Sequence, residues 1–306
     1  MSESQPVIIE VALNGQTSPE RNATVARSNA EVIEQGLACM DAGASIVHCH
    51  LLERALSAVD ATKQYLECFG PWLDRDPDVL VMPTLGHGAT IDEKLGHIDL
   101  LAEAGALRIG FIDPGTMILG YAEPDGTPSP NSFIYVNTFA DMSWAIDQAH
   151  RLGLALHFAI FEPGFLRNVF SYWRLGRLTP GSFVKFYFGG DNGYMARGRG
   201  VTFGLPPTDK ALDAYLEMMA LEGCDLPWFS AVVGGDLFRT PIARATLERG
   251  GHLRVGLEDH LGDRQPSNLV LVQEMAALCG EVGRPVAGPA DAARLLGMPP
   301  RPAGSG

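Results

Sequence analysis

The sequence lacks the features that define several large classes of protein. Its five cysteines are scattered and form no C-x-x-C pair, which fits reduced thiols rather than a disulfide framework. No window contains about 18 consecutive apolar residues, and the N-terminal MSESQPVIIE has no basic segment ahead of an apolar one. We therefore expect no membrane span and no export, and a cytoplasmic location.

Positive charge is also scarce. The chain has 23 Lys and Arg against 36 Asp and Glu, a formal net charge of -13, and its cations are not clustered. Phosphate backbones attract clustered cations, so a nucleic-acid partner is not expected. No G-x-G-x-x-G follows a candidate strand and no G-x-S-x-G occurs, so neither a dinucleotide site nor a nucleophile elbow is indicated.

The chain alternates short apolar, β-branched runs with longer amphipathic stretches, and eight of these runs are predicted as strands. They lie at 7–14, 45–53, 79–86, 107–112, 154–162, 182–190, 228–235 and 252–259. Such strands are buried on both faces, as in a parallel sheet, and eight βα units in 306 residues indicate an α/β fold, a (β/α)8 TIM barrel. We expect a single domain over 1–306, with 121–131 a surface loop and 298–306 a flexible tail.

Two histidines share one face of the second predicted strand. His48 and His50 flank Cys49 in ASIVHCHLLE, and alternate side chains of a strand point to the same side. Active sites of such barrels lie at the C-terminal ends of the strands, where two imidazoles could bind one divalent ion such as zinc. The alternative is a pair of core histidines bonded to backbone carbonyls.

The last predicted strand offers a third ligand. Arg254, Gly256 and Glu258 share one parity in HLRVGLEDH, so Glu258 could complete a His2Glu site with an open fourth position, which is typical of a catalytic metal. Arg254 would point inward and need a carboxylate or an anionic ligand, and Asp259 is the nearest candidate. The alternative is that Glu258 and Asp259 cap the following helix while Arg254 forms a surface ion pair.

Other strand ends carry weaker candidates. The turn PTLGHG combines Thr84 with glycines whose N–H groups could hold a carboxylate, and a plain βα turn is an equally good interpretation. IDPGT offers Asp113 and Thr116 on the same terms, and FEPGF puts Glu162 where it could be an acid or a helix-start residue. The glycine-rich loop at 192–200 carries two arginines that a phosphate-bearing ligand could use, although a solvated loop explains them equally simply.

Long segments of the chain resemble the β-keto acid cleavage enzymes, a family whose founding member cleaves 3-keto-5-aminohexanoate. The resemblance covers nearly the whole sequence, and HCH together with GGHLRVGLEDHL is its most specific part. It implies a (β/α)8 barrel that condenses a β-keto acid with acetyl-CoA and releases acetoacetate and a CoA ester of the remaining acyl group. It also implies a homotetramer.

The resemblance further implies a set of catalytic and metal-binding residues. Zinc would be held by His48, His50 and Glu258 and would act as a Lewis acid on the keto and carboxylate oxygens of the substrate. Asp259, oriented by Arg254, would take or return the proton. This ligand set coincides with the one that the strand alternation predicts.

Four residues are implied as substrate contacts. The turn around Thr84 and Gly86 resembles the family's carboxylate-binding turn, although it reads PTLG where the family commonly has hydroxyl-Thr-Gly-Gly. Thr116 falls where a second hydroxyl is expected. Asn14 ends the first strand where the amino-substrate enzyme has an acidic residue that meets the substrate's ammonium group. We therefore expect a β-keto acid with a neutral side chain.

One further departure concerns the residues after the second histidine. Leu52 and Glu53 stand where the family commonly has an Arg-Asp pair, which changes the local charge beside the site. Two alternative functions remain open from the residues alone. One is a metal-dependent aldolase or hydrolase on the same barrel without CoA, and the other is a non-catalytic barrel that binds a keto acid or a metal.

Overall fold

The computed structural model describes residues 5–53, 55–192 and 199–301. Among them the strands, in chain order, are β1 Ile9–Ala12, β2 Ile46–His48, β3 Leu80–Met82, β4 Ile109–Ile112, β5 Met117–Leu119, β6 Tyr121–Ala122, β7 Phe133–Tyr135, β8 Ala155–Ile160, β9 Phe183–Gly189, β10 Arg199–Val201, β11 Trp228–Val233 and β12 His252–Val255. The helices are α1 Asn29–Asp41, α2 Ala58–Arg75, α3 Ile91–Glu103, α4 Phe139–Leu152, α5 Pro163–Arg174, α6 Asp209–Glu222, α7 Ile242–Glu248, α8 Asn268–Val282 and α9 Pro289–Leu295.

Eight of these strands form one parallel sheet in the order β3-β2-β1-β12-β11-β9-β8-β4. Strands β3 and β4, at the two ends of this order, contact each other, so the sheet curls into a nearly closed barrel with the helices outside. The prediction of a (β/α)8 barrel is confirmed, and each of the eight predicted segments contains one barrel strand. The strands are shorter than predicted because their last residues leave the ladder and form the loops at the barrel mouth.

Local sequence sets where the helices begin. Each of the six longest helices has a serine or threonine N-cap, whose side chain accepts a hydrogen bond from a backbone N–H of the first turn. These helices are α1, α2, α3, α4, α6 and α8. Such caps satisfy backbone N–H groups that have no partner within the helix. Within the described residues no helix has the length and apolar character that crossing a bilayer requires, and all five cysteines are buried and unpaired by disulfides.

The bottom of the barrel lumen is closed by apolar side chains. Ile8, Ile46, Leu80, Phe183 and Phe229 pack there together with Met298. The predicted flexible tail therefore begins with a residue that is buried against this cluster, while 302–306 lie outside the described residues. The lower lumen is thus filled, and the large cavity opens toward the C-terminal ends of the strands, as is usual for this fold.

The segment between β4 and α4 differs from the surface loop predicted at 121–131. Strand β5 pairs antiparallel with β7, and β6 pairs antiparallel with β10. The chain reverses between Glu123 and Thr127, where Glu123 N donates to Thr127 O and Gly126 adopts a φ of +87°. Proline and glycine marked the turn correctly, but the two short strands beside it carry no long periodic pattern.

Candidate active site

The two histidines of the second strand turn toward one carboxylate. His48 ends β2 and His50 follows two residues later. Their Nε2 atoms lie 3.0 and 3.3 Å from the two carboxylate oxygens of Glu258, and the ligand atoms of the three residues lie within 4.8 Å of one another. The structure thus brings together all three predicted metal ligands.

The tautomer of His48 makes this contact unusual. Its Nδ1 lies 3.0 Å from the carbonyl oxygen of Met82, which can only accept, so Nδ1 carries the proton. Burial lowers the pKa of His48, which favours the neutral ring with a lone pair on Nε2. That lone pair faces Glu258 Oε2, a buried atom with no hydrogen-bond donor among the described residues. Two acceptors in contact need a cation between them, and a metal ion fits this donor set.

Asn14 fixes the backbone that carries His50. Its Oδ1 accepts from His50 N at 2.8 Å and from Gly15 N at 3.0 Å, while its Nδ2 donates to His50 O at 2.9 Å. The side chain is buried, and both its oxygen and its nitrogen bond to the backbone of neighbouring residues. Asn14 is therefore placed to position a candidate metal ligand, and its predicted contact with substrate stays a prediction.

Two glycines allow β1 and β12 to approach the site closely. Strand β12 ends at Val255, and Gly256 adopts a φ of +142°, where a Cβ would lie 2.1 Å from Ala12 O. Gly15 adopts a φ of +51°, and a Cβ there would lie 2.2 Å from Glu258 Cγ. Both positions exclude any side chain, because a non-glycine residue would be strained and would collide with the backbone of Ala12 or with the side chain of Glu258.

Arg254 joins Glu258 to a second carboxylate. Its Nη2 lies 3.0 Å from Glu258 Oε1, and its Nε lies 2.7 Å from Asp259 Oδ2. Burial raises the pKa of Glu258, but the charges of Arg254, His50 and His48 outweigh this and hold it well below its usual range. Burial raises the pKa of Asp259 above its usual range, against the opposing charge of Arg254. The pKa values of the two neighbouring carboxyls are thus shifted in opposite directions, an arrangement that suits a metal ligand beside a base.

A buried ion pair lies below the site in the lumen. Lys185 Nζ is 2.6 Å from Glu10 Oε1, and both side chains are 0% exposed. The same oxygen accepts from Arg254 Nη1 at 3.1 Å. Burial lowers the pKa of Lys185 to about 8. Glu10 therefore anchors Arg254 from below, a role that sequence reasoning missed although a lysine and a glutamate stand inside apolar strand runs.

A cavity of about 850 Å³ opens above these residues. Thr84 and Gly86 line it, as predicted for a substrate-binding turn, and so does Glu53, one of the residues that replace the family's Arg-Asp pair. Thr116 is not among the described residues that line the cavity. It is exposed, and its Oγ1 donates to Asn137 O and accepts from Asn137 N, so its predicted contact with substrate also stays a prediction.

The other weak candidates divide in the same way. Asp113 lines the cavity and accepts a short hydrogen bond from the Tyr135 hydroxyl, and burial raises its pKa to about 6. Glu162 stands at the start of α5, where its Oε1 accepts from Gly204 N at 3.2 Å, which favours the structural interpretation. The two arginines predicted in the loop at 192–200 are Arg197 and Arg199. Arg197 and the side chain of Arg199 lie outside the described part of the chain.

The fold and the site define an α/β barrel with a His2Glu candidate metal centre beside a buried arginine–aspartate pair. A family model described as beta-keto acid cleavage enzyme matches residues 6–298. The chain therefore belongs to the β-keto acid cleavage enzyme family, as the sequence resemblance predicted.

Curated relatives match along almost the whole chain. A 3-oxoadipate:acetyl-CoA acetyltransferase of Cupriavidus necator is 26% identical over 302 residues, which cover 97% of this chain and 96% of the relative. A 3-keto-5-aminohexanoate cleavage enzyme of Acetoanaerobium sticklandii is 25% identical over 303 residues, with 96% and 99% covered. A 3,5-dioxohexanoate:acetyl-CoA acetone transferase of Paraburkholderia graminis is 23% identical, with 97% of both chains covered.

Solved structures share the fold. A ternary complex of ObcA with a C4-CoA adduct and oxalate superposes with a TM-score of 0.69 at 13% identity and covers 90% of this chain and 68% of that one. A type I 3-dehydroquinate dehydratase of Clostridium difficile superposes with a TM-score of 0.53 at 12% identity, with 92% and 94% covered. At these identities the likeness supports the barrel fold alone.

Proposed function

We propose that this protein is a zinc-dependent enzyme that condenses a β-keto acid with acetyl-CoA and releases acetoacetate and the CoA ester of the remaining acyl group. One observation carries the proposal. In a chain of this family, Nε2 of His48 lies 3.0 Å from a buried carboxylate oxygen of Glu258, while Nδ1 of the same ring lies 3.0 Å from the carbonyl oxygen of Met82. The Arg254–Asp259 pair beside them is one that a structural metal site would not need.

The donor set favours zinc as the ion. Two imidazoles and one carboxylate, with space on the cavity side, are typical of catalytic zinc, whereas structural zinc sites usually close with four protein ligands. All five cysteines are buried, and none of them, including Cys49 between the two histidines, is among the three ligands. Bound zinc would supply a Lewis acid that polarises the keto oxygen of the substrate and stabilises the negative charge that develops there.

The residues of the chain would manage the proton. Asp259, whose pKa is raised by burial, removes a proton from the methylene between the keto and carboxylate groups. The resulting carbanion attacks the acetyl carbonyl of acetyl-CoA and expels the CoA thiolate. The thiolate then attacks the original keto carbon, the C–C bond to the former methylene breaks, and the proton held by Asp259 completes acetoacetate. The CoA thiolate that leaves the acetyl group takes up the acyl group, and the proton removed at the start is returned at the end, so no other reactant is needed.

Arg254 would keep this base in place and ionised. Its guanidinium binds both oxygens of Asp259, at 2.7 and 3.2 Å, and is itself anchored by Glu10. The positively charged partner opposes the effect of burial, so that the carboxylate can accept a proton near neutral pH. Thr84 and Gly86 line the β3 side of the cavity and would hold the carboxylate of the β-keto acid.

The test combines metal analysis with an assay of acetoacetate release from a panel of β-keto acids and acetyl-CoA. The purified protein is expected to hold about one zinc per chain and to release acetoacetate only when acetyl-CoA is present. His48→Ala is expected to lose both, whereas His150→Ala, a matched change at an exposed histidine on α4, is expected to retain both.

Two results would contradict the proposal. Bound metal without acetoacetate from any acid would favour an aldolase or hydrolase that does not use CoA. Absence of metal would favour two core histidines and a non-catalytic barrel. We also infer a cytoplasmic homotetramer: buried free thiols support a reducing compartment, the resemblance supports the tetramer, and light scattering after size-exclusion chromatography measures the oligomeric state.

A further inference from the structure

Arg21 is a cation of the cavity that the reaction described above does not use. It lies in the loop between β1 and α1, and it lines the cavity beside Glu258 and Asp259. Its Nη2 donates to the carbonyl oxygen of His260 at 2.9 Å, which ties the guanidinium to the segment that follows β12. Burial lowers the pKa of Arg21, while the charges of Asp259 and Glu258 act in the opposite direction.

The side chain of Arg21 makes few hydrogen bonds to the residues that the structure describes. In the described part of the chain its guanidinium makes the single bond to His260, and its Nε is buried without an acceptor. Two arginines that are more deeply buried than the half-buried Arg21 are well satisfied: Arg254 binds three carboxylates, and Arg284 donates to five backbone carbonyls. Burying an unpaired donor of a charged group is costly, so Arg21 is built to meet an acceptor that arrives with a ligand.

The position of Arg21 restricts which anion this is. The carboxylate common to all β-keto acids would lie near Thr84 and Gly86 at the end of β3, which β2 and β1 separate from β12 in the sheet. The phosphates of CoA are separated from the reacting thioester by the long pantetheine arm, whereas Arg21 lies next to the proposed base. The remaining anion near the reacting atoms is one on the side chain of the substrate.

We propose that Arg21 selects β-keto acids whose acyl chain carries a second carboxylate. The inference rests on the proposed function and deepens it by naming the substrate class. It also revises the expectation of a neutral substrate side chain, which depended on Asn14. The amide of Asn14 is committed to the backbone of His50, so this position does not report the charge of the substrate, whereas the guanidinium of Arg21 faces the cavity and does.

The experiment compares two acids that differ in one terminal group. With acetyl-CoA as co-substrate, kcat/KM is measured for 3-oxoadipate and for 3-oxohexanoate, which has the same carbon chain and a methyl group in place of the second carboxylate. The wild type is expected to prefer the dicarboxylate. Arg21→Gln is expected to lower this preference about 100-fold, mainly through KM for the acid, because a desolvated charge pair is lost. Arg21→Lys, which keeps the charge but not the fork of donors, should retain part of the preference.

Arg27→Gln is the matched control. Arg27 lies in the same loop, is exposed, donates from Nη2 to Ala23 O at 3.3 Å and does not line the cavity. Its replacement is expected to leave the ratio of the two kcat/KM values as in the wild type. Melting temperatures of all variants are measured in parallel, and Arg21→Lys provides the comparison if Arg21→Gln folds poorly.

Three outcomes would overturn the inference and leave the proposed function standing. Acetoacetate could be released from monocarboxylates in preference to 3-oxoadipate. Arg21→Gln could slow both acids by the same factor, as expected of a residue that only supports Asp259. The variant could raise KM for acetyl-CoA alone, which would assign Arg21 to the phosphates of CoA. If no acid of the panel yields acetoacetate, the proposed function itself fails.

Discussion

The buried ion pair between Lys185 and Glu10 provides the sharpest prediction about how this barrel holds its site. Both side chains are 0% exposed, and Nζ lies 2.6 Å from Oε1. Burial raises the pKa of Glu10, but the charges of Lys185 and Arg254 outweigh this and hold it below its usual value. The carboxylate therefore stays ionised in the lumen only because cations surround it.

The perturbation is Lys185→Met, which keeps a long unbranched side chain and removes the charge. Glu10 would retain Arg254 at 3.1 Å, but its second oxygen, Oε2, has no partner among the described residues. Breaking a buried pair by removing one partner costs about 3–5 kcal/mol. A chain of this length loses about 2 °C of melting temperature per kcal/mol, so we expect Tm to fall by about 6–10 °C.

The loss should depend on pH. In the wild type the lowered pKa of Glu10 contributes stability that is present above the unfolded pKa and is lost as the pH falls through the folded one. In Lys185→Met, burial would raise the pKa of Glu10 above its unfolded value, so that stability is lost as the pH rises. The difference in Tm should therefore be larger at about pH 7.5 than at about pH 5.5.

Scanning calorimetry of wild type, Lys185→Met and Lys63→Met at both pH values measures this. Lys63 is the matched control, because its side chain is 72% exposed and its pairing with Asp60 at 3.3 Å is open to solvent, so that its loss should change the stability little. If Lys185→Met melts within about 2 °C of the wild type at both pH values, or if its deficit grows toward acid, the reasoning about the lumen is refuted.

Three further predictions concern the site. Asp259→Asn should lower kcat about 10²- to 10⁴-fold with unchanged metal content, and loss of the metal as well would show that the residue acts as a ligand. Asn14→Leu should weaken zinc binding about 10- to 100-fold in a chelator competition, because the backbone of His50 is no longer held; wild-type affinity would contradict the clasp. Gly256→Ala should lower Tm or prevent folding, since its Cβ would lie 2.1 Å from Ala12 O, and a wild-type Tm would rule out the collision.

The barrel could be predicted from the sequence because each of its strands is apolar on both faces. Runs such as VIIEVALN and SFVKFYFGG stand out between amphipathic stretches, and the parallel sheet follows from them. The pairing of β5 with β7 and of β6 with β10 could not be predicted. These strands have two or three residues each, too few for a period to be visible.

The residues of the candidate site that lie on or next to barrel strands could likewise be predicted, and those on loops could not. Strand alternation predicted that His48 and His50 share a face and that Glu258 approaches them, although β12 ends at Val255 and Glu258 stands in the turn beyond it. A close approach to Gly256 was predicted, and the group that approaches it is the backbone of β1 at Ala12. Residues on loops and inside apolar runs carry no such pattern, which is why the guanidinium of Arg21 was found only in the structure.

The short strands β5 and β7 suggest how members of the family could change their substrate without changing the reaction. The candidate metal ligands and the proposed base lie at or just beyond the ends of β2 and β12, which β1 separates in the sheet. Much of the apolar wall above them, including Met117, Leu119 and Ile134, belongs to an excursion that contributes no strand to the barrel. Mutations in this segment would change the lining of the cavity without replacing the candidate metal ligands or the proposed base. Natural or directed evolution could therefore alter the choice of substrate separately from the proposed reaction.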